Sequence, residues 1–128
     1  MDVRRADQLE PQLEHGGTCR SYHMVPKGSM YDDTKGGWLE FIGEFELVEG
    51  AHLEPHTHDT DEWYYLLDGR ARMQIGKEQR DVDPGDLIHI PRHAVHSIWP
   101  IDGPSFRAFA FAVSYQSPDA EPVPASFD

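Results

Sequence analysis

The chain has a single cysteine, Cys19, among its 128 residues. No disulfide can form within it, and a reducing cytoplasm is the expected setting. No apolar run approaches the ~20 residues of a membrane span, and the opening Met1-Asp2-Val3-Arg4-Arg5-Ala6-Asp7 lacks the apolar stretch of a secretory signal. Positive charge is scarce: 11 Lys and Arg stand against 23 Asp and Glu, a net charge of -12. Nucleic-acid affinity rests on neutralising phosphates with Lys and Arg, so no nucleic-acid partner is expected. The same balance argues against anionic membrane surfaces. The charge serves solubility. An acidic substrate stays open, because a metal and a few local Arg residues can dominate one pocket. Internal repeats and heptads are absent, and helical periodicity nearly so.

What remains is a series of short strand signals with turn residues between them. Trp38 to Val48 is rich in aromatic and β-branched residues and alternates in part, which predicts a long strand broken by Glu49-Gly50. Glu62 to Leu67 follows, then the turn Asp68-Gly69. Arg70 to Ile75 and Gln79 to Val82 read as a hairpin around Gly76-Lys77. Leu87 to Ile90, His96 to Trp99 and Phe106 to Val113 complete the set. Asp7 to Leu13 is the one place where a short helical turn is expected. One all-β domain, a sandwich or jelly-roll barrel, accounts for this pattern at this length. It divides into an N-terminal arm with edge strands (1–37), the barrel (38–113) and an extended or disordered tail (114–128), rich in proline.

The chemistry concentrates in Gly50-x5-His56-x-His58-x3-Glu62-x6-Gly69, with His96 further on. Side chains two apart on a strand share a face, so His56 and His58 can point together. A carboxylate a short turn later and a distant imidazole can complete one metal site. Three imidazoles and a carboxylate suit Fe, Mn, Ni, Co, Cu or Zn, whereas Ca and Mg prefer all-oxygen shells.

These residues resemble the first motif of the cupin superfamily, G-x5-H-x-H-x3,4-E-x6-G, which is matched in full. The second motif, G-x5-P-x-G-x2-H-x3-N, is matched at Gly85, Pro91 and His96, with His93 in place of glycine and Pro100 in place of asparagine. The resemblance covers roughly residues 38 to 113. It implies a double-stranded β-helix (cupin jelly-roll barrel) with one divalent transition metal (Fe, Mn, Ni or Zn) held by His56, His58, Glu62 and His96. It also implies a homodimer, with 22–38 as the contact. His93 is expected as a turn residue, since histidine tolerates left-handed backbone better than most; the alternative is a proton carrier at the pocket rim. His89 reads as structural on a strand flank, and His52 as part of the strand approaching His56.

Tyr64 lies two residues after Glu62 and should face inward with it. A phenol beside a metal can act as general base; the plainer reading is a barrel-lining aromatic. The stretch His56-x-His58-x3-Glu62-x-Tyr64 looks like that of small cupin lyases acting on dimethylsulfoniopropionate, where the tyrosine removes an α-proton. Trp38, Trp99 and Arg92 are candidate substrate contacts, and Tyr22, Tyr31, Phe109 and Phe111 candidate pocket wall. Each aromatic is otherwise core or interface; Arg92 and Arg107 are otherwise solvent-facing.

Three functions fit. The first is an enzyme acting on a small oxygenated molecule by non-redox proton abstraction: a lyase, isomerase or cyclase. The second is a non-haem iron dioxygenase with the same ligands. The third, a metal-dependent binding module without turnover, would prefer a fused DNA-binding domain, which this chain lacks.

Overall fold

The computed structural model describes residues 1–14, 19–21, 23–25 and 35–128. Tyr22, Tyr31 and most of the segment expected as a dimer contact lie outside the described residues. The strands are β1 (Asp2–Arg5), β2 (Gln12–Glu14), β3 (Cys19–Ser21), β4 (Trp38–Val48), β5 (His56–Thr57), β6 (Thr60–Asp68), β7 (Arg70–Ile75), β8 (Glu78–Val82), β9 (Asp86–Ile90), β10 (His96–Ile101), β11 (Ser105–Ser114) and β12 (Val123–Pro124). Ten of them form two five-stranded sheets, ordered β1-β9-β6-β11-β4 and β12-β5-β10-β7-β8, and β2 pairs with β3 alone. Every pairing is antiparallel. This is the jelly-roll barrel expected from the strand pattern. Among the described residues, no helix is long and apolar enough to cross a membrane.

The helical turn expected over Asp7 to Leu13 shrinks to a 3-10 turn at Ala6–Gln8. Pro11 has no N–H for a helix ladder, and Gln12–Glu14 pairs as a strand instead. His52, expected within a strand, lies in an irregular stretch between β4 and β5.

The core lies between the sheets, with Leu66, Ile88, Ile90 and Phe106 from one and Met73, Val82 and Ile98 from the other. Strand β11 shows how the sequence places it. Phe106, Ala108, Ala110 and Ala112 are buried, while the residues between them face outward. Three alanines in a row on the inner face leave room that larger side chains would fill. Strand β6 is central and covered on both faces, so it reads as a nearly continuous buried run rather than a clean alternation. The chain changes sheets between β6 and β7 at Gly69, whose φ is +76°.

On the outer face, Trp63 stands between two direct cross-strand partners, His89 and Phe111. Both rings stack on it, each with centroids 4.8 Å away and tilted by 17° and 8° respectively. His89 Nε2–H also donates to the buried Asp61 carboxylate at 2.9 Å. His89 is therefore structural, as its strand-flank position suggested. His89→Ala removes a stacked ring and leaves that carboxylate without its imidazole, so a loss of about 1–3 kcal/mol is expected. Urea unfolding measures it, and an unchanged midpoint would refute the coupling.

Candidate metal centre

The site begins with strand register. His56 on β5 is directly opposite His96 on β10, and opposed residues in an antiparallel pair project to the same face. Their ring centroids are 4.2 Å apart. His58, one residue beyond β5, brings its ring 5.3 Å from that of His56 and 5.0 Å from that of His96. One ligand atom from each of the three imidazoles can be chosen so that all lie within 4.8 Å of one another. The other sheet contributes Glu62 from the inner face of β6. Its Oε1 stands 3.6 Å from His58 Nε2 and 3.5 Å from His96 Nε2.

Two of the imidazoles are oriented in the same way. His56 Nδ1–H donates to Glu54 O at 2.7 Å and His96 Nδ1–H to Ala94 O at 2.9 Å. A carbonyl can only accept, so Nδ1 carries the proton and Nε2 keeps its lone pair for a ligand. Such backbone partners are typical of metal-ligating histidine. The His58 ring has no such bond at Nδ1. Its backbone is held instead, since His58 O accepts from His93 N–H at 2.9 Å.

The residues fit a metal ion. His96 Nε2 and Glu62 Oε1 are buried without hydrogen-bond partners, a costly state that an ion between them would relieve. Their separation is near the ~3 Å expected of neighbouring ligands on an ion with bonds of ~2.1 Å. Electrostatics agree. Burial raises the Glu62 carboxyl, but the facing His58 and His96 outweigh it and hold it low, at about 2. Burial lowers His56, with the other two imidazoles adding to the effect, which favours the neutral ligand form. Burial lowers His58 as well, yet the Glu62 carboxylate overcomes it and raises the net value.

Beside the cluster lies a cavity of about 380 Å³ lined by Phe41, Phe45, Leu47, Leu53, Tyr64 and Ala110, with His56 and Glu62 shared between it and the cluster and Glu44 and Glu46 also at its border. Phe45 meets the Tyr64 ring edge-on at 4.8 Å. Burial and the neighbouring Glu62 charge push the Tyr64 phenol well above its ordinary value. In the protein without an ion, Tyr64 is therefore held neutral, opposite to the easy proton loss expected of a phenol beside a metal. The β4 residues of this wall had no assigned role in the sequence, although Phe41, Gly43, Phe45 and Leu47 recur at period 2.

Several candidate residues stand elsewhere and do not line this cavity. Trp99 follows the inward Ile98, so alternation turns it outward, where it stacks on His52 at 5.0 Å. Trp38 Nε1–H donates to Gln116 O at 2.9 Å. Phe109 and Phe111 lie on the outer face and border a second hollow with Met24 and Val25. Arg92 donates to Asp59 at 2.6 Å and lies 3.8 Å over the Tyr115 ring. His93 takes φ 63° in its turn and sets Nε2 3.2 Å from the same carboxylate. Arg107 pairs with Glu44 at 3.1 Å on the outer face.

Comparison with known proteins finds a cupin-domain family match over residues 43–105. An uncharacterised protein of Methanocaldococcus jannaschii is 30% identical over 93 residues, spanning 72% of this chain and 70% of that one. A dimethylsulfoniopropionate lyase of Ruegeria pomeroyi is 27% identical over 106 residues, 82% of this chain and 68% of that one. The crystal structure of a cupin 2 domain-containing protein from Halorhodospira halophila superposes with a TM-score of 0.58 at 19% identity, covering 66% of this chain and 57% of that one. The chain thus spans little more than half of that solved structure.

Proposed function

The chain belongs to the cupin superfamily, and on that basis we propose that it is a metal-dependent enzyme moving a proton on a small oxygenated molecule, as a lyase, isomerase or cyclase. The observation that carries this reading is the joining of two features. The His56, His58, Glu62 and His96 cluster opens, through His56 and Glu62, onto a cavity where Tyr64 alone of the described lining residues bears a hydroxyl. A divalent ion held there would polarise a bound carbonyl or carboxylate and acidify the carbon beside it. His56, His58, His96 and Glu62 would hold that ion. Tyr64 would hold or accept the proton at its phenol oxygen, and Phe41, Phe45 and Leu53 would exclude water from the reacting end. A bound cation would also counter the Glu62 charge, which adds to burial in keeping the phenol neutral. The similarity to a protein named as a dimethylsulfoniopropionate lyase points the same way.

The test uses solvent deuterium. Metal-loaded protein is expected to exchange the α-protons of one or more members of a panel of enolisable acids and sugars, followed by NMR. Tyr64→Phe should keep the metal and lose exchange by about 10²–10⁴-fold, the usual contribution of a positioned acid or base. Unchanged exchange in that variant removes Tyr64 from the chemistry. Substrate-dependent oxygen uptake by the iron form, without exchange, would instead assign the dioxygenase reading.

A further inference from the structure

The cavity's lining also limits what can enter it, an inference that rests on the metal-dependent reading. Its apolar lining is Phe41, Phe45, Leu47, Leu53 and Ala110, and His56 and Glu62 join it to the metal cluster. Among the described residues, no Lys or Arg lines it. Three arginines outside the lining are engaged by carboxylates instead. Arg92 is held by Asp59 at 2.6 Å, Arg72 by Asp81 at 2.7 Å, and Arg70 by Asp83 at 2.6 Å. Glu44 and Glu46 also border the cavity from β4, and Arg107 on the outer face pairs with both, at 3.1 and 3.8 Å.

A divalent ion bound beside the ionised Glu62 leaves one net positive charge, enough for a single carboxylate, enolate or hydroxamate oxygen pair. Among the described lining residues, a second negative group further along the ligand would meet aromatic and aliphatic side chains and no cation, and would lose its water without compensation. We infer that the cavity takes an apolar-bodied ligand with at most one negative charge, placed at the metal end, and rejects phosphorylated or polyanionic ones. The volume of about 380 Å³ lies in the range of small-molecule sites.

Three hydroxamates that share one metal-binding group and differ only in the body test this. Benzohydroxamate, acetohydroxamate and phosphoglycolohydroxamate are titrated calorimetrically into the 128-residue chain, after its nickel content has been measured. The expected order is benzohydroxamate tightest, by at least about tenfold over acetohydroxamate, with the phosphorylated compound weakest. Leu47→Arg, which adds a cation to the wall, should reverse the two extremes. Nickel bound and the phosphorylated compound equal or tighter in the wild-type protein overturns this inference and leaves the metal reading standing. The same holds if nickel is bound and none of the three binds. A protein that takes up no nickel, iron, manganese or zinc defeats both.

Discussion

Protein carrying His96→Ala is expected to lose more than about 100-fold in affinity for its divalent ion. Replacing an outer partner of a ligand already costs about 10–100-fold, and this change removes a ligand itself. His96 is fully buried, directly opposite His56, and its Nε2 lies 3.5 Å from Glu62. The truncation also leaves a hole in the wall and a buried carboxylate with one imidazole fewer to face, so the variant should be less stable too. His56→Ala separates the two effects, because His56 is only half-buried and less packing is lost there. Both variants should show the affinity loss in a chelator competition, and only His96→Ala a large drop in unfolding midpoint without metal. Full metal occupancy at unchanged affinity in both would overturn the ligand assignment.

The second large effect concerns stability alone. Gly69→Ala is expected to cost about 3 kcal/mol or more, from two sources. Glycine holds φ +76° there, a conformation L side chains adopt at a cost of about 1 kcal/mol or more. A β-carbon would also meet the Ser105 carbonyl oxygen closer than any real contact and Phe106 Cα at 2.8 Å. Backbone cannot swing aside as a side-chain tip can, and overpacking of this kind adds about 1–3 kcal/mol. Gly76→Ala is the control. Its φ is +57° with nothing near the added carbon, so only the conformational cost of about 1 kcal/mol applies. Denaturant titration of both variants measures the gap, and equal losses would mean that the crossing at Gly69 relaxes freely.

The long β4 strand was legible because its apolar and aromatic run is bounded by Glu49-Gly50, and the observed Trp38–Val48 coincides with it. The ligand cluster was legible through spacing within one segment. What spacing could not supply is the opposition of His56 and His96, forty residues apart, which depends on β5 finding β10. Trp99 was a different kind of miss. The alternation that sets Ile98 beside His96 already sends Trp99 to the other face. For Arg92 and His93, direction is decided by Asp59, a tertiary partner more than thirty residues away. The cavity wall involves a further step hidden from a simple parity reading. The register of β4 on β11 shifts between Ala112 and Val113, so Leu39 points outward although Phe41 faces in.

Strand β5 is two residues long, and its second neighbour is the chain's own C-terminal segment. Val123 lies opposite Thr57 and Pro124 opposite His56, and Ala125 N–H donates to Pro55 O at 3.1 Å. A proline-rich tail thereby serves as the outer brace of a ligand-bearing strand. Clipping the last six residues, or pulling on them through a fused partner, would leave β5 braced on one side only. Protease nicking near the C-terminus is therefore expected to loosen the candidate metal centre while the barrel stays folded.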